Sequence, residues 1–91
     1  MPPGCKAALD RLQSERANRS TPPSDASIID KTNHVMFMTR DLLLTMAVSC
    51  QDWPDYERSR VELQATYDQS MAACRAVATD PTDCRPVGYG W

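Results

Sequence analysis

The densest apolar stretch of this chain constrains its fold more than anything else in it. From Ile28 to Cys50 the sequence reads IIDKTNHVMFMTRDLLLTMAVSC, with no proline and no glycine. Ile28, Val35, Leu42 and Ser49 recur at sevens, with Thr32, Thr39 and Met46 at the alternate positions. That spacing predicts a helix with a narrow apolar seam. A second row runs Ile29, Met36, Leu43, Ala47, Cys50, and a third Phe37, Leu44, Val48. A helix apolar around most of its girth is covered on several sides. It is either the middle helix of a bundle or a helix that also packs on a partner. It does not read as a membrane span. Thr39, Arg40 and Asp41 interrupt it, well short of the roughly 20 apolar residues a bilayer requires.

Two further helices flank it. Cys5 to about Asn18 places Cys5, Ala8, Leu9 and Leu12 on one thin apolar face, so this helix must dock to persist. Pro2-Pro3-Gly4 reads as an extended lead-in, and the prolines of Ser20–Ser24 mark a loop. Ser24, Asp25 or Ser27 can cap the central helix. A third helix is expected from Trp53, with Asp52 as its cap and Pro54 in its first turn. Its stripe is Trp53, Tyr56, Arg60, Leu63, Tyr67, Met71, Cys74 and then Val77 or Ala78. Asp80-Pro81 stops it. The expectation is one all-α domain spanning 1–91, with three helices at about 5–18, 27–51 and 53–78 and an irregular tail over 79–91.

A chain of 91 residues buries only a modest core and gains from staples. Its four cysteines, Cys5, Cys50, Cys74 and Cys84, suggest two disulfides and an oxidising compartment. Cys74 follows Cys50 by 24 positions. Along the far arm of a helical hairpin that is about 36 Å, against the roughly 7 Å a disulfide spans. Cys50–Cys74 is thereby excluded. Cys74 and Cys84 close easily through a turn, and an antiparallel first helix brings Cys5 toward Cys50. The favoured pairing is Cys5–Cys50 with Cys74–Cys84.

Nine residues separate Cys74 from Cys84 in CRAVATDPTDC. This resembles the CX9C element of the small coiled-coil-helix-coiled-coil-helix proteins of the mitochondrial intermembrane space. That family carries two such elements paired across two helices; this chain has one, with Pro81 inside it. The resemblance implies a non-catalytic role as a respiratory-complex subunit, assembly factor or scaffold. It implies structural cysteines at Cys74 and Cys84. The opening Met-Pro-Pro-Gly-Cys lacks the features of a signal peptide. Either a leader has been removed, or the compartment is entered without a cleaved one.

Chemistry-bearing patterns are absent. His34 is the only histidine, and no serine or cysteine pairs with it by any known spacing. No close Cys or His pair offers a zinc site. Met36 and Met38 point some 200° apart on a helix, too far for one copper ion. The three glycines form no phosphate loop. A net charge of −2 argues against nucleic acid. No catalytic, cofactor or metal residue is expected, and no small-molecule substrate. Asn18-Arg19-Ser20 fits the glycosylation pattern, relevant only on the secretory route. The expected partners are other protein subunits, met through Phe37, Leu44 and Val48 and through the tail aromatics Tyr89 and Trp91. The expected role is an accessory subunit on the intermembrane-space side of a mitochondrial inner-membrane complex. The alternative is a secreted or periplasmic helical inhibitor or immunity-type binding protein.

Overall fold

A computed structural model describes residues 1–17 and 21–88. Three helices account for most of them: α1 (Pro3–Ala17), α2 (Ile28–Ser49) and α3 (Tyr56–Val77), followed by a single 3₁₀ turn, Pro81–Asp83. No strand occurs among the described residues. The all-α, three-helix expectation holds, with shifted ends. Helix α1 starts at Pro3, because a proline in the first turn forfeits no helical hydrogen bond and arrives with its φ already set. Ser27 is the cap of α2, its hydroxyl accepting from the Asp30 N–H at 3.0 Å. Helix α3 starts at Tyr56 rather than Trp53. Asp52 does not cap it, since Trp53 and Tyr56 N–H donate back to Cys50 and Trp53 carbonyls in two successive turns.

Helix α2 is the axis. Both neighbours run antiparallel to it. Helix α1 lies along its second half, pinned at one end by Cys5–Cys50 and near the other by Arg16, which donates to the Met38 carbonyl. Helix α3 folds back along the whole of α2 and is tied to the tail by Cys74–Cys84. All four cysteines are thus oxidised, in the favoured pairing, with Cα atoms 4.6 and 5.8 Å apart. The two cysteines of the CX9C element bond to each other, not across to a second element.

Among the described residues, every buried apolar side chain carries sulfur: Cys5, Met36, Met46, Cys50, Cys74 and Cys84. Each disulfide seeds its own cluster. Cys5–Cys50 and Met46 gather Leu9, Trp53, Tyr56 and Leu63 at one end. Cys74–Cys84 and Met36 gather Ile29, Tyr67, Met71 and Ala78 at the other. The larger aliphatics and aromatics are only half covered. A core this thin gives little hydrophobic stabilisation per residue, which is why covalent staples matter here. Met36→Ala should cost about 2–5 kcal/mol, while Met36→Leu should cost under about 1.5 kcal/mol, read from urea midpoints.

The α2 side chains that pack with α3 are Ile29 and Met36 at one end and Met46 at the other, with Thr39 also buried. The seam expected at sevens is covered only in its second half: Thr39 and Met46 are buried and Leu42 is half-buried, whereas Ile28 is 54% exposed and Val35 39%. Helix α1 ends before reaching them. Thr32 and Thr39 are accommodated by donating to the carbonyls of Ile28 and Val35, one turn back. On α3 the inward residue at the last turn is Ala78; Val77 faces outward.

Asn33 is 2% exposed and holds the tail to the helices. Its Nδ2 donates to the Asp83 carbonyl at 2.8 Å, and its Oδ1 accepts from the Arg85 N–H at 3.0 Å. The Val87 N–H donates to the Asn33 carbonyl at 3.4 Å. Cys74 Sγ lies 3.8 Å from Oδ1, but an oxidised sulfur has no hydrogen to donate, so this is packing.

The tail's first turn carries an acid-sensitive group. Asp80 accepts from the Thr82 N–H at 2.9 Å and the Thr82 hydroxyl at 2.8 Å. These bonds favour the carboxylate and pull its pKa below the ordinary aspartate value. A depressed folded-state pKa adds stability above the unfolded value and loses it as pH falls through the folded one. An NMR titration should therefore find Asp80 ionising below an unstructured aspartate. Thr82→Val should move it back toward the ordinary value.

Candidate interaction surface

Leu44 and Val48 lie one turn apart on the same stripe of α2, where neighbouring side chains touch. That stripe points away from the row packed on α3. Leu44 is 57% exposed and Val48 84%, the most exposed large apolar residue among those described. Phe37, on the same stripe, stands differently. The tail crosses it: a Cβ at Gly88 would sit 2.9 Å from the Phe37 ring. Arg40 approaches the ring at 6.0 Å, the outer limit of a cation–π contact. Phe37 is half-buried in consequence. The structure therefore separates Phe37 from Leu44 and Val48. Tyr89 and Trp91 lie outside the described residues, as does Asn18-Arg19-Ser20.

Beside Leu44 and Val48 the outer flank of α1 and the face of α2 enclose an open depression of about 400 Å³. Ala8, Arg11 and Glu15 form one wall; Leu44, Thr45 and Val48 form the other. On the opposite flank of α1, a second cleft of about 380 Å³ opens toward α3. Its floor is Leu9, Leu42, Met46, Trp53 and Leu63, with Glu62 on the rim. The seam expected from Leu42 and Met46 thus becomes the floor of this cleft. Spacing alone could not show it, because it depends on how far apart α1 and α3 stand.

Residues weighed for chemistry fall elsewhere. Met36 is fully buried and Met38 only half so, on different sides of α2. The oxidised cysteines offer no thiolate. No group of three or more His, Cys, Asp or Glu suited to a metal ion occurs among the described residues. Asp52 is exposed in the turn, and Asp55 pairs with Arg58 at 3.4 Å. Glu57 accepts from Arg60, whose hydrogen bond lowers the Glu57 pKa. Exposed ion pairs of this kind add little stability. No helix among the described residues is long and apolar enough to cross a membrane.

What the arrangement offers is shape: a stapled pair of helices with an apolar stripe left open between fixed neighbours. Asn33 was missed by sequence reasoning. Its only signal was an amide in the row otherwise made of Ile29 and Met36. Comparison with known proteins finds no matching family model, no matching curated protein and no matching solved structure.

Proposed function

We propose that this chain is a non-catalytic accessory or structural subunit of a larger protein assembly. The observation that carries the proposal is the open Leu44–Val48 stripe on a helix clamped at its end by Cys5–Cys50. Leu44 and Val48 adjoin on one helix face, and it is contiguous apolar surface rather than single exposed residues that partners cover. The disulfides hold α1 and the tail in place, so little ordering entropy remains to be lost on binding. Two staples in a chain of this size fit an oxidising compartment. The spacing of Cys74 and Cys84 adds the mitochondrial intermembrane space, on the face of an inner-membrane complex such as one of the respiratory chain. The two oxidised pairs alone fit equally a secreted or periplasmic binding protein, the second reading.

Non-reducing native electrophoresis of fractionated cells separates the readings. The first predicts that the chain fractionates with mitochondria and migrates far above its own 10.2 kDa, with Leu44→Asp and Val48→Asp releasing it. Recovery from the medium or periplasm as a free chain would contradict it.

A further inference from the structure

We infer that the groove between α1 and α3 takes an amphipathic helix of another protein, apolar at heptad spacing and basic where it meets Glu62. This is a second surface, on the opposite flank of α1 from Leu44 and Val48.

The floor sets the shape of the occupant. Ile28, Val35 and Leu42 recur at sevens on α2, with Thr32, Thr39 and Met46 between them. Leu42 and Met46 lie at the bottom of the cleft of about 380 Å³. Helix α1 stops beside Met38, so the same row emerges into solvent at Val35 and Ile28. At 1.5 Å per residue the row from Ile28 to Met46 is about 27 Å long. Another helix with apolar residues at sevens meets such a row side chain for side chain. An extended strand alternates every second residue and falls out of step with it.

The wall on α3 suits the same occupant. Ser59 and Thr66 line the cleft. Ser70, Ala73 and Val77 follow Thr66 at steps of four, three and four, which keeps them on one face. Small side chains as far as Ala73 let two helix axes come close. Val77, 51% exposed, ends this wall where antiparallel α2 begins with Ile28, 54% exposed. A helix is about 10 Å across, so the cleft admits its side chains while its backbone lies above them.

The rim sets the charge. Glu62 is exposed beside the cleft and makes no ion pair among the described residues. The acidic groups Asp55 and Glu57 of the same arm have Arg58 and Arg60. The cleft's other polar residues, Ser59 and Thr66, carry no charge. A lysine or arginine flanking the incoming apolar stripe therefore finds a carboxylate there, and an acidic residue finds only repulsion. Flanking charges of this kind select the partner.

The probe is a synthetic peptide of three heptads, stapled on its outer face to hold the helix. It carries leucine at the first and fourth positions and lysine at the fifth and seventh. A second peptide has glutamate in place of the lysines, and a third has its leucines scrambled. Titrated into the oxidised, ¹⁵N-labelled chain, the lysine peptide should shift the amides of Val35, Leu42, Met46 and Thr66. It should bind about tenfold tighter than the glutamate peptide. Val35→Asp should weaken it about tenfold or more, and Glu62→Lys should reverse the charge preference. Both side chains are exposed, so circular dichroism and melting temperature should stay unchanged. No binding at millimolar peptide, equal binding of the scrambled peptide, or a preference that Glu62→Lys leaves unaltered overturns the inference. Shifts confined to Leu44 and Val48 overturn it as well. So does self-association of the wild-type chain that Val35→Asp abolishes, which would make a second copy the occupant. The subunit reading is tested at Leu44 and Val48, so either can fail while the other stands.

Discussion

Replacing both Cys5 and Cys50 with alanine should lower the unfolding free energy by about 4 kcal/mol and loosen α1 from the rest of the chain. The disulfide closes a span of 45 residues, and in the chain-entropy account a loop of that length contributes about 4 kcal/mol. The Cys74–Cys84 span is only 10, worth about 3 kcal/mol on the same basis. The order of the two effects is the sharper prediction. A domain of this size has a total stability of about 5–14 kcal/mol, so the first loss is a large share. Helix α1 explains why the loss is also local. Beyond the disulfide it is held by half-buried Ala8, Leu9 and Leu12 and by the Arg16 bond to the Met38 carbonyl. An isolated helix of about 15 residues is marginal in water. Urea unfolding should show the reduced midpoint, and hydrogen exchange should show α1 amides losing protection before those of α2. Unchanged protection in α1 would mean its own packing suffices.

Asn33→Leu should cost about 2 kcal/mol and free the segment after Cys84. The substitution keeps the approximate volume but strands the Asp83 carbonyl and the Arg85 N–H that Asn33 now satisfies. Each stranded buried group costs about 1–3 kcal/mol. Water reaches these two once the tail lifts, which holds the sum near the lower end. Because Cys84 stays bonded to Cys74, the damage is confined. Exchange of the Arg85 and Val87 amides should accelerate strongly, and Phe37 should become more accessible as Gly88 leaves it. Asn33→Asp should be worse, since a carboxylate would face the Asp83 carbonyl. Equal Arg85 exchange in wild type and Asn33→Leu would show that the tail is held by something else.

Most of the helical frame was legible in the residues. Pro22, Pro23, Pro54 and Pro81 punctuate the chain, and the i, i+4 spacing of Leu63, Tyr67 and Met71 identifies the inner side of α3. Helix length excluded Cys50–Cys74, and the short closure from Cys74 to Cys84 with an antiparallel first helix selected the observed pairing. Which row of α2 faces inward did not. Ile28–Val35–Leu42 and Ile29–Met36–Leu43 are equally apolar, so burial is decided by where α1 ends, a tertiary fact. The start of α3 was misplaced because Asp52 and Asp55 both suit a cap, and only the turn closed by Cys50 and Trp53 carbonyls selects between them. Asn33 escaped because its partners lie 50 and 52 positions away. The exposed stripe was half legible. Leu44 and Val48 were expected outward, whereas the cover Gly88 gives Phe37 depends on the tail's path.

The most direct test of a helical frame held by two oxidised staples is the state of its cysteines in the cell. Intact cells would be treated with a thiol-blocking reagent before lysis, and the chain then digested without reduction for mass spectrometry. The account predicts no blocked cysteine and two linked peptide pairs, Cys5 with Cys50 and Cys74 with Cys84. Blocking at any of the four, or a Cys5–Cys74 linkage, would contradict it.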